Sequence, residues 1–391
     1  MTSPGGGVRR VCVVITARPS YARIKSVLQA IQARPDLELQ LVVAASALLE
    51  RYGAVVDVIR ADGFEPAAVV YMVVEGENLV TSAKSTGLGV VELATIFDNL
   101  KPDVVISVAD RYETIATAIA AAYLNIPVAH VQGGEITGSI DEKVRHAVTK
   151  LSNLHFVSNE AAARRVIAMG ETPESVFVTG CPSVDLAARV AAEPNPSFDP
   201  FAKYGGVGAE FDFEAGYLVV MQHPVTTEYE DALEQIQQTL AVVEELRMPT
   251  FWFWPNVDAG SDGISKGIRH FRETRRVPFI HFFKNMSPED FLRLLSRASC
   301  LIGNSSVGIR ESSYLGLPVV NIGNRQAGRD RGGNVIDVDY DRQQIGAAVQ
   351  KHLEHGRYER EYVYGDGSAG ERIARLAAEV PLVIEKRLTY S

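Results

Sequence analysis

Short apolar segments alternate with longer amphipathic segments along almost the whole chain. Segments such as residues 11–15 and 217–221 are continuous apolar runs, the pattern of parallel strands that are buried on both faces. Segments such as residues 81–100 instead repeat their apolar residues with the period of an amphipathic helix. This alternation predicts open parallel sheets with helices on both sides, the doubly wound α/β class.

The predicted elements form two successive series. In the first series we predict strands at residues 11–15, 37–44, 67–74, 103–108, 126–131, 154–157 and 176–178, and helices at 22–33, 47–61, 81–100, 115–124 and 160–169. In the second we predict strands at 217–221, 250–254, 279–283, 300–302 and 318–322, and helices at 229–246, 288–298, 345–355 and 369–378. A stretch rich in Pro, Gly and Phe separates the two series. We therefore predict a Rossmann-like domain at residues 1–190, a linker region at 191–215 and a second Rossmann-like domain at 216–368.

The composition restricts the partners and the compartment. A formal net charge of -9 over 391 residues argues against binding to nucleic acid or to an anionic membrane surface. No apolar run reaches the roughly 18 residues of a membrane span, and the N-terminal segment lacks the apolar centre of a signal peptide. The three cysteines have neither a metal-binding spacing nor the density of a disulfide framework, so we expect a reducing compartment and a cytoplasmic protein.

The segment after the predicted strand 126–131 concentrates polar side chains. It turns at Gly133-Gly134, where glycine lets the backbone approach a ligand closely. It then presents Glu135, Thr137, Ser139, Asp141, Glu142, Arg145 and His146. If a helix begins near Ser139, Asp141 and Arg145 share one face, as do Glu142 and His146. A capping box formed by Ser139 and Glu142 is the alternative, but it requires neither the Gly-Gly turn nor Arg145, so we predict a site here.

A second polar segment, Gly303-Asn304-Ser305-Ser306, lies between a predicted strand and the segment that follows it. The exposed N–H groups of such a small-residue turn can hold a phosphate. Glu311 lies beyond the turn, where its carboxylate could bind the two hydroxyls of a ribose. The alternative is an ordinary capped helix with a solvated glutamate.

Other candidate side chains follow the ends of predicted strands, where open α/β sheets bind their ligands. Arg18 follows the first strand, and Asp110 and Arg111 follow the strand at 103–108. His223 lies between a strand and a proline; it could bind phosphate as an imidazolium, act as an acid, or be a packed structural histidine. The glycine fingerprint of dinucleotide folds is absent and no two histidines have a metal-ligand spacing, so we predict no cofactor and no metal.

These segments and several others resemble, in order, the motifs of the hydrolysing UDP-N-acetylglucosamine 2-epimerases of sialic-acid and legionaminic-acid synthesis. The matching segments are Gly133-Gly134-Glu135, Gly138-Ser139-Ile140-Asp141-Glu142, Arg145-His146-Ala147, Thr149-Lys150-Leu151, Gly180-Cys181-Pro182-Ser183, Gln222-His223-Pro224-Val225-Thr226-Thr227, Pro255-Asn256-Val257-Asp258-Ala259-Gly260-Ser261, Ile302-Gly303-Asn304-Ser305-Ser306 and Arg310-Glu311. The resemblance implies a glycosyltransferase-B-like fold with the active site in the cleft between two domains. It also implies a C-terminal helix at about residues 369–391 that packs back on the first domain, and a homodimer or homotetramer.

The resemblance further implies a reaction in two steps on a nucleotide-diphospho-N-acetylhexosamine. A base removes the proton at sugar carbon 2 and the nucleoside diphosphate leaves on the opposite face, which gives a glycal; water then adds and releases a free, 2-epimeric sugar of the N-acetylmannosamine type. Carboxylates would move the protons, and cations and N–H donors would stabilise the leaving diphosphate. The implied catalytic residues are Asp110, Gln132, Glu135, Asp141, Glu142, Arg145 and His223. The implied nucleotide- and diphosphate-binding residues are Arg18, Arg111, His223, Asn256, Asp258, Ser261, Asn304, Ser305, Ser306 and Glu311.

Two positions depart from the family's pattern. Gln132 stands where relatives usually have a glutamate, and an amide cannot act as a general base because it does not hold a proton reversibly near neutral pH. Ala47 stands where relatives often have a histidine. The proton transfer would then fall to another carboxylate, such as Asp110 or Glu135, or the step would differ. Three alternatives therefore stay open: a non-hydrolysing epimerase, a glycosyltransferase of the same fold, and a nucleotide-sugar-binding protein that has lost its base.

Overall fold

The computed structural model describes residues 7–50, 54–76, 79–108, 111–136, 140–193, 198–225, 228–255, 261–387 and 389. By its internal contacts the chain forms two compact units. Unit 1 comprises Met1–Glu135, Ile140–Asp185 and Gly365–Ser391, and unit 2 comprises Ile136–Ser139 and Leu186–Tyr364. Within the described ranges each unit is built on one seven-stranded sheet, which confirms the prediction of two doubly wound α/β domains.

The sheet of unit 1 is built from parallel neighbours. Its strands are β1 (Arg9–Ile15), β2 (Leu37–Ala44), β3 (Ala68–Val70), β4 (Val104–Val108), β5 (Val128–Val131), β6 (Leu154–Val157) and β7 (Val176–Val178). They lie in the order β3-β2-β1-β4-β5-β6-β7, with every pair parallel. The connections change direction across the sheet between β1 and β4. Sheets of this class bind ligands beyond the carboxyl ends of the strands at that point.

Helices cover both faces of this sheet. In chain order they are α1 (Arg18–Ala22), α2 (Lys25–Gln32), α3 (Val55–Ala61), α4 (Leu79–Leu100), α5 (Thr114–Tyr123), α6 (Ile140–Leu151) and α7 (Glu160–Ala168). The next helix, α8 (Pro182–Ala192), begins in unit 1 and continues into unit 2. Alternate residues of a strand point to opposite faces. Val11, Val13 and Ile15 of β1 therefore pack in one core with α1, α2 and α3, and Cys12 and Val14 pack in a second core with α4 and α5.

Unit 2 repeats this arrangement. Its strands are β8 (Val207–Gly208), β9 (Leu218–Met221), β10 (Thr250–Phe253), β11 (Ile280–Phe283), β12 (Cys300–Gly303), β13 (Val319–Ile322) and β14 (Val335–Val338), in the order β14-β13-β12-β9-β10-β11-β8. Neighbouring strands are parallel except β8, which is antiparallel to β11. Its helices are α9 (Pro200–Tyr204), α10 (Ala232–Leu246), α11 (Ser261–Thr274), α12 (Pro288–Arg297), α13 (Glu311–Leu315) and α14 (Arg342–His355).

The last helix, α15 (Ala369–Glu379), packs against α2 within unit 1. The carboxylate of Asp185 accepts the backbone N–H groups of Ala369 at 2.9 Å and Gly370 at 2.7 Å, and so fixes the first turn. The helix ends at Glu379, one residue beyond the predicted end at 378 and earlier than the 391 that the resemblance implied, because Pro381 cannot continue a helix. No helix in the described ranges has both the length and the apolar character to cross a membrane.

Several predicted elements differ from the observed ones. The predicted helix at residues 47–61 is a 3₁₀ turn at Ala45–Leu48 followed by α3. Ala45 and Ala47 lie in the core, where they are 3% and 1% exposed, so the apolar residues of this segment belong to a buried turn and not to a helix face. The predicted strand at 67–74 is reduced to β3, and the predictions missed α11 and β14.

The region predicted as a linker, residues 191–215, is instead partly ordered into α9 and β8. Phe201 of α9 packs its ring against Phe211 and Phe251, with centroids 5.4 Å and 5.5 Å apart. The phenylalanines of this stretch therefore cover one end of the second sheet, and its prolines and glycines shape the turns around that contact.

Candidate functional site

Gln132 begins the central polar segment at the carboxyl end of β5. Its φ of 68° lies in the left-handed region, and the residue is 1% exposed. Its amide Nε2 donates to Sγ of Cys181 at 2.9 Å, and that sulfur lies 3.0 Å from Oγ of Ser183. Oε1 of Gln132 is buried and has no hydrogen-bond partner in the part of the chain that the structure describes. A carboxylate could not donate to the sulfur, so the glutamine suits this contact and leaves one acceptor unused.

The Gly-Gly turn after Gln132 is required by packing inside unit 1. A Cβ on Gly134, whose φ is 74°, would overlap the backbone carbonyl oxygen of Ala162 in α7. A Cβ on Gly133 would lie 2.9 Å from Nδ1 of His130. The glycines therefore allow the turn to pass close to β5 and α7, and a close approach to a ligand is not needed to explain them.

Glu135 presents a buried carboxylate just beyond this turn. The residue is 4% exposed, and Oγ of Ser158 donates to its Oε1 at 2.9 Å. Arg145 of α6, which is 1% exposed, donates from Nη1 to the backbone carbonyl oxygen of Glu135 at 2.8 Å. Arg145 thus ties α6 to the loop that carries Glu135. The result is a carboxyl group held in one position, which suits proton transfer.

The first turn of α6 carries Asp141 and Glu142, both half-buried. Oε1 of Glu142 lies 3.2 Å from Nε2 of His146, one helical turn further on, so the prediction that these two side chains share a face is confirmed. The predicted helix start near Ser139 agrees with the observed start at Ile140. Thr137 and Ser139 lie outside the described residues.

The carboxyl ends of β1 and β4 add two cations and a carboxylate to the same edge of this sheet. Arg18 begins α1 directly after β1, and Arg111 follows β4. Nε of Arg111 donates to Oε1 of Glu113 at 2.9 Å. Glu113 is 1% exposed and its Oε2 lacks a partner among the described residues, a feature that the sequence predictions missed although it follows the same strand. Asp110, the remaining candidate here, lies outside the described residues.

In unit 2 the loops after β9 and β12 are joined by Asn304. Its Oδ1 accepts the backbone N–H of His223 at 2.7 Å, and its Nδ2 donates to the backbone carbonyl oxygen of His223 at 2.8 Å. Gly303, with a φ of 139°, must be glycine here, because a Cβ would overlap the backbone carbonyl of Met221. This fully buried amide holds two strand ends together, and nucleotide binding at Asn304 stays a prediction.

His223 is 4% exposed, and its imidazole is uncharged at neutral pH. Burial, together with the positive charge of Arg325, lowers the pKa of His223 to about 3. The low-dielectric surroundings therefore disfavour the imidazolium form in the ligand-free protein, and phosphate binding by His223 stays a prediction. A neutral imidazole can still donate one N–H to a diphosphate oxygen.

The polar side chains after Asn304 remain accessible. Ser305 and Ser306 are half-buried, and they lead into a 3₁₀ turn at Ser306–Gly308 and then into the short helix α13. Glu311 is the first residue of α13, and its Oε2 is buried without a partner among the described residues. An unused carboxylate acceptor at this position fits the predicted contact with a ribose hydroxyl.

Two side chains that the sequence predictions did not include lie beside this turn. Arg325 donates from Nη1 to the backbone carbonyl oxygen of Asn304 at 3.1 Å, and Gln326 donates to the same oxygen at 2.9 Å. Both follow β13, the neighbour of β12 in the sheet. The rule that ligands bind beyond strand ends could have identified Arg325, which brings a cation to the Ser305–Ser306 turn.

The remaining candidates are not brought to either group by the described contacts. Ser261 is a half-buried residue that begins α11, and Asn256 and Asp258 lie outside the described residues. Ala47 packs in the first core of unit 1, so this position fills the interior. Among the described residues, no three His, Cys, Asp or Glu side chains are grouped so that they could hold a metal ion.

We expect the imidazole of His223 not to titrate between about pH 5 and 8, since ordinary histidine has a pKa near 6.5 and that of His223 is about 3. The C2 proton resonance of His223, assigned by its loss in His223→Gln, should keep one chemical shift over this range in the ligand-free protein. A shift that follows an ordinary histidine titration would show that the side chain is solvated and would contradict the buried position.

The sequence matches the family model described as UDP-N-acetylglucosamine 2-epimerase over residues 29–378. A Legionella pneumophila protein described as UDP-N,N'-diacetylbacillosamine 2-epimerase (hydrolyzing) is 32% identical over 375 residues, which cover 96% of this chain and 97% of that protein. A Neisseria meningitidis UDP-N-acetylglucosamine 2-epimerase is 28% identical over 370 residues, or 95% of this chain and 94% of that protein.

The fold is also that of solved structures of such enzymes. The crystal structure of UDP-GlcNAc 2-epimerase from Neisseria meningitidis bound to UDP-GlcNAc has a TM-score of 0.77 and 17% sequence identity, and the match covers 94% of this chain and 98% of that one. The fold is accordingly glycosyltransferase-B-like, as the resemblance implied. With a family model that spans most of its length and a relative of 32% identity along nearly all of it, the chain belongs to the UDP-N-acetylglucosamine 2-epimerase family of nucleotide-sugar 2-epimerases.

Proposed function

We propose that the chain is a hydrolysing 2-epimerase that acts on a UDP-linked 2-acetamido sugar. The observation that carries this proposal is the likeness, over 96% of the chain, to the Legionella pneumophila protein described as hydrolysing. The two groups of side chains support it. Unit 1 offers the buried carboxylate of Glu135, and unit 2 offers Arg325, Ser305 and Ser306 for an anion.

In the first step, a carboxylate of unit 1 takes the proton from sugar carbon 2. The electrons of that C–H bond form the double bond between carbons 1 and 2, and the bond from carbon 1 to the diphosphate oxygen breaks with its electrons leaving on UDP. Arg325, Ser305 and Ser306 would stabilise the negative charge that develops on the diphosphate. Glu311 would hold the ribose through its unused oxygen.

In the second step, water adds to the glycal. Its oxygen bonds to carbon 1, and a proton reaches carbon 2 on the face opposite to the one that lost its proton. The products are UDP and a free sugar with inverted configuration at carbon 2. Two proton-transferring groups on opposite faces of the ring are needed, and Glu135, Asp141 and Asp110 are our candidates.

Gln132 then has a positioning role in our proposal. Its amide does not accept a proton near neutral pH, so it cannot replace the glutamate of relatives as a base. The hydrogen bond to Cys181 fixes the orientation of the amide and leaves Oε1 as an acceptor. The proton transfer that the glutamate would perform is assigned to Glu135, three residues further along, because its carboxylate is buried and held by Ser158.

Two substrates are candidates, and a non-hydrolysing epimerase is the alternative function. UDP-N-acetylglucosamine is named for the Neisseria meningitidis relative, and UDP-N,N'-diacetylbacillosamine for the Legionella pneumophila relative. The departure at Gln132 favours testing both, since this residue would face the sugar rather than the nucleotide.

We expect incubation with either UDP sugar in D₂O to give UDP and a free 2-epimeric sugar that carries deuterium at carbon 2, because the second step takes its proton from solvent. Proton NMR follows both products, and a sample without enzyme is the control. An epimerised but intact nucleotide sugar would instead indicate the non-hydrolysing reaction. Reaction only with an added acceptor would indicate a glycosyltransferase, and UDP-sugar binding without turnover would indicate a binding protein.

A further inference from the structure

A buried glutamate at the start of α5 has no role in the two reaction steps described above. Glu113 is 1% exposed, and its Oε1 accepts the N–H of Arg111 Nε at 2.9 Å. Its Oε2 is also buried, and no atom of the described residues forms a hydrogen bond with it. A buried carboxylate that is only half satisfied costs stability, which an apolar side chain of the same size would not. The reason for a glutamate at this position is therefore its effect on Arg111.

The turn between β4 and α5 holds these two residues in place. The backbone N–H of Thr114 donates to the carbonyl oxygen of Arg111 at 2.8 Å, and the N–H of Ala116 donates to that of Glu113 at 3.2 Å. Glu113 has a φ of -75° and a ψ of -16°, so its backbone already has the helical conformation of α5. Thr114 and Ala116 are buried, at 3% and 0% exposure. The carboxylate is thus attached to a packed helix start, which fixes its position better than a loop would.

The hydrogen bond at Nε restricts the orientation of the Arg111 guanidinium. This group is planar and carries its five N–H donors in a fixed fork, so a bond at Nε restricts the plane and the direction of both Nη groups. The guanidinium carbon also lies 6.0 Å from the centre of the Tyr112 ring. The Arg111 side chain is 37% exposed, so a ligand can reach it. An arginine that is already oriented loses less conformational freedom when a ligand binds.

Arg111 lies at a point of the fold where sheets of this class bind ligands. It follows β4, the neighbour of β1, and the connections change direction between these two strands. The nucleotide sugar of the proposed function carries a diphosphate, whose oxygens can accept two parallel N–H groups of a guanidinium. Arg111 with its buried partner therefore has the properties of an anion-binding cation that is oriented before the ligand arrives.

We propose that Glu113 is a positioning residue, whose carboxylate holds Arg111 in the orientation that binds the diphosphate of the nucleotide sugar. This role rests on the proposed function, because the diphosphate is the ligand. In this role Glu113 contacts no reacting atom and acts only through Arg111. A carboxylate at a helix N-terminus also stabilises the helix, so the experiment has to separate the orientation of Arg111 from the stabilisation of α5.

The test is a double-mutant cycle on UDP affinity, measured by calorimetry on the full chain with Arg111→Gln, Glu113→Gln and the double variant. Each single substitution should weaken UDP binding about fivefold, and the double variant should bind UDP as weakly as Arg111→Gln does. Glu160→Gln is the matched control and should keep wild-type affinity, because Glu160 is an exposed glutamate in the first turn of α7. Circular dichroism and thermal midpoints show whether each variant is folded.

The Nε proton of Arg111 reports its orientation directly. Its NMR signal, assigned by its loss in Arg111→Gln, should exchange with solvent more slowly in the wild type than in Glu113→Gln. Unchanged UDP affinity in either single variant, or losses that add in the double variant, would overturn the proposal. If Glu113→Gln does not fold, Glu113→Asp replaces it with the same expected result, because aspartate withdraws the carboxylate by one methylene. A wild type that binds UDP but releases no free sugar would contradict the proposed function and leave this cycle readable.

Discussion

Replacement of Asp141 by asparagine is expected to reduce kcat by about 10²- to 10⁴-fold, the usual contribution of a general acid or base, while UDP still binds. Asp141 lies in the first turn of α6, half-buried, one helical turn from Arg145. Asparagine has nearly the same shape but acts neither as an acid nor as a base near neutral pH. The side chains of unit 2 that we propose for the diphosphate and the ribose are Arg325, Ser305, Ser306 and Glu311. The substitution should therefore remove proton transfer and leave their contacts intact.

The control for this substitution is Lys143→Gln, an exposed position two residues further along the same helix. It should keep wild-type turnover, because surface substitutions away from a site change little. Turnover is measured by release of UDP, and UDP affinity by calorimetry. Unaltered turnover in Asp141→Asn would remove this residue from the catalytic candidates, and an equal loss of UDP binding would assign it a structural role.

The periodicity of the chain predicted the sheets well, for a reason that β4 illustrates. All five residues of Val104–Val108 are buried and all but Ser107 are Val or Ile, so the strand stands out from its neighbours. Residues 45–48 are also mostly apolar, but they form a 3₁₀ turn whose Ala45 and Ala47 fill the core, and apolar character alone cannot distinguish such a turn from a strand or a helix. The sequence did not indicate α9, because Phe201, which packs against the second sheet, lies within a stretch of prolines and glycines that indicates a loop.

The sequence could predict the position of a candidate side chain only where that residue comes directly after a strand. Arg18, Arg111 and Glu135 are close in sequence to strand ends, so the order of elements places them at one edge of the first sheet. The contact of Arg325 with Asn304 depends instead on β13 lying beside β12, which sequence does not specify. The hydrogen bond from Gln132 to Cys181 joins positions that are 49 residues apart in the sequence. The reason for a glutamine at position 132 is therefore visible only in the folded structure.

A buried acidic residue far from the site gives the largest expected effect on stability. Glu171 is 3% exposed. Its carboxylate accepts hydrogen bonds from Lys150 Nζ at 2.6 Å and His155 Nε2 at 2.9 Å, and it pairs with Lys386 Nζ at 2.6 Å. Lys386 lies in the segment after α15 and also donates to the backbone carbonyl oxygens of Thr149 and Ser152. Glu171 therefore fastens the C-terminal segment to unit 1.

The electrostatics of this group determine how its contribution varies with pH. Burial by itself would raise the pKa of Glu171, but the hydrogen bonds from His155, Lys150 and Lys386 outweigh it and hold the pKa at about 2. An unfolded glutamate has a pKa of about 4.3. The folded state thus prefers the carboxylate, so the stabilisation is fully present above about pH 4.3 and is lost as the pH falls towards 2.

We expect Glu171→Gln to lower the free energy of unfolding at pH 7 by about 3 kcal/mol, the lower end for breaking a buried ion pair. Lys150 and Lys386 keep some access to solvent, at 39% and 25% side-chain exposure, which limits the loss. Urea unfolding measures the loss of stability, and Glu174→Gln is the control. Glu174 is an exposed glutamate three residues away, and its replacement should change the free energy of unfolding by less than about 0.5 kcal/mol. The difference in the free energy of unfolding between wild type and Glu171→Gln should decrease as the pH falls below about 4.3. If Glu171→Gln unfolds at the same urea concentration as the control variant, the carboxylate does not hold the C-terminal segment to unit 1.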